Sequence, residues 1–328
     1  MDQRRPRQPG TSQNTDNPHQ LSSLFHSIHV KLAVDGGHRI KAMELIRIED
    51  LWFSYEGGPA LQAERYALSG VDLSIIKGQR IAVIGANGSG KSTLLKHFNG
   101  LLVPTAGEVW VSGMSTRDRG ALKKIRRSVG MVFQNPETQL VTTLVEDEVA
   151  FGPQNLGLDP EEITERIEWA MAVTGIQTLR DRPPHLLSTG QKQLLAVASV
   201  LAMRPDCLVL DEATSMLDPA SRERVEDTIR RLNSEGMTVI SSTHSMDEAS
   251  EAGRIIVLAG GEVAADGEPC DVFSRRKTLR ELRLDLPTTV RIADLVKSRL
   301  PRETERLFNP RLLSSAVSDA YYKGRDLR

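Results

Sequence analysis

Apolar residues along this chain gather in short runs of four or five rather than in long blocks. Ile-Ala-Val-Ile at 81–84, Val-Gly-Met-Val-Phe at 129–133, Cys-Leu-Val-Leu at 207–210, Thr-Val-Ile-Ser at 238–241 and Arg-Ile-Ile-Val-Leu at 254–258 are divided by stretches with helical signals. Such runs predict buried strands of a parallel sheet covered on both faces by helices. Ahead of them, Leu-Ile-Arg-Ile at 45–48 and Leu-Trp-Phe-Ser-Tyr at 51–55 predict two more short strands, the second broken by Gly57-Gly58-Pro59. A helix is expected from Lys91, ending at Gly100 with Pro104 beyond.

Residues 138–204 interrupt the alternation and read as consecutive helices. The first runs over 143–155 and stops at Gly157, and the second has Asp159 as N-cap and Pro160 at its first position. The third opens at Ser188 and stops before Pro205. This block predicts a helical subdomain inserted into the α/β core. Residues 1–20 hold almost no large apolar side chains and are rich in Pro, Gln and Asn, the composition of a disordered tail. The expected division is a poorly ordered extension over 1–42, a main domain over 43–275 and a basic extension over 276–328.

Length changes this picture little: 328 residues suit one large domain with appendages, or two domains. Charge changes it more. The chain carries 42 Lys+Arg against 43 Asp+Glu, a balance unlike that of proteins that coat nucleic acid, and no nucleic-acid partner is expected. Aromatics, at 4%, are too few for a base-stacking surface. The most apolar stretch, 194–203, spans ten residues, where a membrane-crossing helix needs about 20. Two cysteines and a polar N-terminus fit a reducing cytosol rather than secretion. Locally the balance breaks: residues 134–174 hold nine carboxylates and one arginine, and from Arg275 onward basic residues outnumber acidic ones 14 to seven.

The strongest chemical signal is Gly85-Ala-Asn87-Gly88-Ser89-Gly90-Lys91-Ser92, which matches G-x-x-x-x-G-K-[ST] between a predicted strand and a predicted helix. Glycines let successive backbone N–H groups converge on phosphate oxygens, and the helix aims its positive end at them. Lys91 is placed to reach the β- and γ-phosphates of ATP and Ser92 to ligate Mg²⁺; Thr93 follows directly. A strand ending in Asp211-Glu212 supplies the complement: Asp211 to hold Mg²⁺ through its water shell, and Glu212 to polarise an attacking water as general base. Other positions have plain readings when taken singly. Ser188 and Gln191 form a capping-box pattern, Asp218 caps a helix opening at Pro219, Tyr55 is a strand aromatic and His244 a turn residue.

In combination, the P-loop, Gln134, Leu187-Ser188-Thr189-Gly190-Gln191, Asp211-Glu212, Ser215-Met-Leu-Asp218 and His244 resemble, in order and spacing, the nucleotide-binding subunit of an ABC transporter over roughly residues 45–275. The resemblance implies an α/β fold: a P-loop NTPase (RecA-like) core with a parallel sheet, an antiparallel β part and an inserted α-helical subdomain. It also implies roles. Tyr55 stacks on adenine, and Gln134 senses Mg²⁺ and water and links core to helical subdomain. Ser188, Gly190 and Gln191 belong to a signature loop that closes on ATP held by a second ABC ATPase subunit. Asp218 crosses the dimer interface, and His244 contacts the γ-phosphate.

The segment QNPETQLVTTLVEDEVAFGPQNLG at 134–157, with 201–205 and 211–219, resembles the energy-coupling factor ATPases of the cobalt/vitamin uptake type. The partners implied are a transmembrane scaffold whose coupling helices carry arginines and a substrate-capture membrane protein, with the ATPase peripheral at the cytoplasmic face of the cell membrane. The acidic stretch 134–174 is then expected to receive those helices, with Glu146 and Glu148 as contact residues. Leu286-Pro-Thr-Thr-Val290 resembles a C-terminal element that supports dimer contacts. Thr189 stands where the family signature has its first glycine, and Leu194 where many relatives carry arginine. Those departures put full activity of one composite site in question and leave homodimer or heterodimer open. The rival readings are a soluble ABC ATPase acting on nucleic acid or ribosomes, and a non-catalytic ATP-binding regulatory partner.

Overall fold

The structure is a computed structural model that describes residues 43–56, 66–296 and 314. The expected N-terminal tail, the Gly57-Gly58-Pro59 break and nearly all of the chain beyond 296 lie outside those residues. Five predicted apolar runs form neighbouring parallel strands: β3 (Arg80–Ile84), β6 (Val129–Val132), β7 (Cys207–Asp211), β8 (Thr238–Ser242) and β9 (Arg254–Ala259). With β10 (Glu262–Gly267) antiparallel at one edge, the sheet order is β10-β9-β3-β8-β7-β6. The strands β3, β8, β7 and β6 are therefore adjacent, and each ends in a segment singled out in the sequence. Ligands in open parallel sheets bind outside the carboxyl ends of the strands.

An antiparallel sheet of order β2-β1-β4-β5 carries the rest of the β structure, from β1 (Glu44–Phe53), β2 (Leu68–Ile76), β4 (Ala106–Val111) and β5 (Met114–Ser115). Here one expectation fails. The two strands predicted over 45–55 are one continuous strand, because the polar residues between the apolar runs form a bulge. Asp50 takes φ 47°, the pairing to β2 shifts between Ile48 and Leu51, and Asp72 accepts the Asp50 N–H at 2.8 Å. Gly107 makes the bulge possible: a Cβ there would lie 1.9 Å from the Asp50 carbonyl oxygen.

The helical block is as predicted in type and order. Helices α3 (Val145–Leu156) and α4 (Pro160–Thr174) end at Gly157 and Gly175, both at φ 71°, and α5 (Thr189–Leu201) begins after a complete Ser188/Gln191 capping box. The core side of α5 is almost wholly apolar and packs with α3, α4 and one face of the sheet around Val149, Met171, Leu195, Leu208 and Leu210. The other face packs on the antiparallel sheet and α1 (Lys91–Phe98), through Ile46, Leu68, Leu95, Phe98 and Val209. Helix α2 (Leu122–Ser128) leads into β6, and α6 (Pro219–Ser234) into β8. After β8 a single-turn helix, α7 (Met246–Ser250), precedes β9. The C-terminal helices α8 (Pro269–Ser274), α9 (Arg276–Glu281) and α10 (Thr288–Val296) follow β10, and Thr288 binds Asp247 through both its N–H and its hydroxyl at 2.7 Å.

Helix α1 buries His97 completely. Its Nδ1–H donates to the Thr93 carbonyl at 2.8 Å, its ring meets Phe53 edge-on, and Nε2 has no partner. Burial, only partly offset by the Thr93 hydrogen bond, lowers its pKa from 6.5 to about 4. Above 6.5 the neutral ring costs nothing. As pH falls from 6.5 towards 4 the unfolded chain takes up a proton that the folded chain refuses, so stability is lost. Between pH 7 and pH 5 this linkage amounts to about 2 kcal/mol. Urea unfolding of His97→Leu should show a smaller pH-dependent loss than wild type, by about that amount; an identical loss would place the acid sensitivity elsewhere.

Candidate active site

The loop after β3 is shaped by close approaches that only glycine permits. A Cβ on Gly85 would stand 2.3 Å from the Leu258 carbonyl oxygen, and one on Gly90, at φ 104°, 2.7 Å from that of Ala67. Between them Ala86, Asn87 and Gly88 are exposed, so the outer side of the loop is open. Inside it the Ser89 hydroxyl is buried without a partner. Lys91 donates to the carbonyls of Gly85 (3.0 Å) and Ala86 (3.3 Å), and its ammonium lies 3.7 Å from the Glu212 carboxylate. Burial lowers the Lys91 pKa, against the opposing pull of Glu212 and Asp211. Tyr55, largely exposed, joins its hydroxyl to that of Thr93 at 3.0 Å and sets its ring edge-on to Phe53.

Two hard oxygen donors meet where a divalent ion is expected. The Ser92 hydroxyl donates to Asp211 Oδ1 at 2.9 Å, linking the start of α1 to the end of β7. Among the described residues no group of three or more His, Cys, Asp and Glu side chains is set to hold a metal by itself. The Ser92–Asp211 pair thus fits Mg²⁺, which takes few protein ligands and completes its octahedron with phosphate oxygens and water.

Glu212 is where the predicted catalytic residues converge. Its backbone leaves β7 at φ 49°, a left-handed conformation that costs about 1 kcal/mol or more in a non-glycine residue. Its carboxylate receives His244 Nε2 at 2.6 Å on Oε1 and Gln134 Nε2 at 3.0 Å on Oε2. The residue that fixes this turn was absent from the sequence reading. Ser242 pairs with Asp211 across β7 and β8, donates its hydroxyl to Asp211 Oδ1 at 2.8 Å and accepts the Glu212 N–H at 2.9 Å. Ser215, also unassigned beforehand, accepts from Gln134 at 3.4 Å and donates to the Glu212 carbonyl at 2.8 Å. The register of two strands predicted to be buried was the available signal for Ser242; for Ser215 the signal was its place at the head of the Ser215-Met-Leu-Asp218 motif, which carried no role for it.

The signature residues lie at the start of α5. Ser188 Oγ accepts the Gln191 N–H at 3.3 Å, and Gln191 Oε1 accepts the Ser188 N–H at 3.0 Å, so the plain capping reading of this pair holds. Ser188 and Thr189 are exposed, while Gly190 is buried where a Cβ would stand 2.3 Å from the Ser221 hydroxyl oxygen. Farther along, Lys192 pairs with Glu137 at 2.5 Å and Gln193 donates to the Phe133 carbonyl at 3.4 Å, tying α5 to the segment around Gln134. Asp218 caps α6 through the N–H groups of Ala220 (3.1 Å) and Ser221 (3.0 Å). The Ser221 hydroxyl, aided by those N–H groups, holds its carboxyl below the ordinary range.

The acidic stretch needs one correction. Glu148 is not a surface contact: it is 3% exposed, and its Oε2 accepts the N–H groups of Val141 and Thr142 at 2.8 Å each. Its carboxylate shapes the loop before α3. Glu146 is half-buried and pairs with Arg180 at 3.3 Å, while Asp147 is exposed. Val141, Leu144 and Phe151 are large apolar residues exposed in the same region.

Residues 68–215 match the family described as ABC transporter. The chain is 52% identical over 242 residues to an energy-coupling factor transporter ATP-binding protein of Symbiobacterium thermophilum, covering 73% of this chain and 84% of that one. Its counterpart in Caldanaerobacter subterraneus is 48% identical over 250 residues, with 76% and 90% covered. Among solved structures, cbiO1 from Clostridium perfringens, described as part of the ABC transporter complex cbiONQ, superposes with a TM-score of 0.65 at 36% identity, covering 77% of this chain and 99% of that one. A dimeric ATP-binding cassette in a post-hydrolysis state with ADP and Pi follows at TM-score 0.62 and 30% identity, covering 69% and 99%. These relatives do not favour the rival readings on nucleic acid or as a non-catalytic partner. With identity near one half across nine-tenths of such a relative, and a P-loop, Asp211-Glu212, Gln134 and His244 gathered at one sheet end, the chain belongs to the ABC-type ATPases, as an ATP-binding subunit of the energy-coupling factor transporter family.

Proposed function

We propose that this chain hydrolyses ATP with Mg²⁺, paired with a second ABC ATPase subunit, to power import of a vitamin or transition-metal ion across the cell membrane. The observation that carries the reading is the Glu212 carboxylate, held by Lys91, Gln134 and His244 beside the Ser92–Asp211 pair. Lys91 and the loop N–H groups of residues 86–91 bind the phosphates of ATP, and Tyr55 offers its exposed ring to the base. Ser92, and Asp211 through water, would hold Mg²⁺, which would supply neutralisation of phosphate charge. Glu212 takes a proton from the attacking water, while His244, beside it, contacts the terminal phosphate. Glu212 Oε2 accepts one hydrogen bond, from Gln134, and a carboxylate oxygen has a second lone pair with which to accept the attacking water. Ser188 caps the Gln191 N–H, whereas the Thr189 and Gly190 N–H groups have no acceptor within the helix, which supports a phosphate of the opposite subunit as their ligand.

Coupling to a transmembrane scaffold is supported by the exposed strip of Val141, Leu144, Asp147 and Phe151. Apolar side chains beside an unpaired carboxylate suit a helix carrying both apolar and arginine side chains. No described helix is long and apolar enough to cross a membrane, so the proposed place at the cytoplasmic face depends on that contact. Substrate choice lies with a separate capture protein in this reading.

Two measurements test it. Glu212→Gln keeps an acceptor for His244 but removes the base; ATP binding should persist while steady-state hydrolysis falls about 100-fold or more, and near-normal hydrolysis would overturn the base assignment. Asp147→Lys combined with Phe151→Ser should abolish co-purification of the integral-membrane partner from detergent extracts while leaving ATP affinity unchanged. Undiminished co-purification would refute docking on this strip.

A further inference from the structure

Helix α7, directly after His244, opens with Ser245-Met-Asp-Glu248, a sequence that locally specifies a capping box. The structure builds only half of it. Ser245 Oγ accepts the Glu248 N–H at 3.3 Å, but the Glu248 carboxylate does not return to the Ser245 N–H, which donates to Thr243 Oγ1 at 3.0 Å instead. Glu248 Oε2 accepts two hydroxyls, those of Thr243 and Thr214, each at 2.9 Å. Both threonines are buried. Thr214 lies two residues beyond Glu212 and Thr243 immediately precedes His244.

We propose that Glu248 is a positioning residue for ATP hydrolysis, its Oε2 pinning the turn that follows Glu212 to the turn that carries His244. The inference rests on the reading of Glu212 and His244 given above. Their mutual contact at 2.6 Å joins the same two turns at a second point. Two attachments fix relative orientation where one leaves a pivot. A hydroxyl pair on one carboxylate oxygen is also a charge-assisted arrangement, stronger than hydrogen bonds between neutral groups. Burial pushes the Glu248 carboxyl up and the two hydroxyls draw it back. Arg222, whose Nε reaches the Thr214 carbonyl at 3.4 Å, faces the group, as does Arg80. A carboxylate withdrawn from water here has lost hydration that a purely local cap at the surface would have kept.

The test uses the full-length chain in the complex that co-purifies with it, with Glu212→Gln as control. In Glu248→Ala, kcat should fall about 10- to 100-fold, while KM for ATP and nucleotide affinity stay within about 2-fold. Glu248→Gln, whose amide oxygen accepts both hydroxyls, should restore kcat to within about 3-fold of wild type. Thr214→Val and Thr243→Val should each lower kcat with KM unchanged, and neither should lower it further in the Glu248→Ala background. If Glu248→Ala does not fold, the two threonine variants decide alone. A lower unfolding temperature with wild-type kcat in Glu248→Ala, or wild-type kcat in both threonine variants, overturns the proposal. If Glu212→Gln retains turnover, it is the base assignment that has failed, independently of Glu248.

Discussion

A carboxylate side chain that is only 14% exposed has to be paired or hydrogen-bonded, and Glu212 draws its partners from three other segments. Lys91 comes from beyond β3, His244 from beyond β8 and Gln134 from beyond β6. Glu212 itself follows β7, so four adjacent parallel strands must end side by side for the charge to be satisfied. Leaving such a group unpaired would cost several kcal/mol, more than most single contacts contribute. Sheet order, strand register and the left-handed turn at Glu212 thus form one connected constraint. Ser242 enforces it by hydrogen bonding, because one hydroxyl holds both the Asp211 carboxylate and the Glu212 backbone.

What was legible beforehand is what local chemistry determines. The apolar runs at 81–84, 129–133, 207–210, 238–241 and 254–258 reappear as the parallel strands, because a strand buried on both faces has little room for polar residues. Gly157 as a helix stop and the Ser188 cap reappear for similar local reasons. The misses are non-local. Strand β2 alternates buried and accessible positions only from Val71 on, after a glycine near its start, and its extent comes from pairing with β1. The bulge at Asp50 depends on Gly107, more than fifty positions away, having no side chain. Ser242 acts through register, and Glu148 misled a count of charge because its carboxylate turns inward to two backbone N–H groups. Counting acidic residues treats each as solvated; burial distinguishes those that shape a loop from those that meet a partner.

The signature residues and the Gln134 segment are joined by one rigid body. Helix α5 spans 13 residues, about 20 Å, with Ser188 and Gly190 at its start. Lys192 and Gln193, one turn in, hold Glu137 and the Phe133 carbonyl. Gly190 lies against Ser221 with no room for a methyl group, which fixes α5 against the first turn of α6, itself capped by Asp218. A close-packed contact transmits displacement because it cannot compress. A phosphate drawn onto the start of α5 would therefore move or strain three things together: the Asp218 turn, the 133–137 segment and, through Gln134, the hydrogen bond to Glu212 Oε2. In the proposed mechanism that hydrogen bond is the link between the ATP site and the region where Val141, Leu144 and Phe151 are exposed. Neither the Glu212 carboxylate nor the exposed strip needs to sense the other directly, since α5 and the segment it grips connect them through contacts within the described fold.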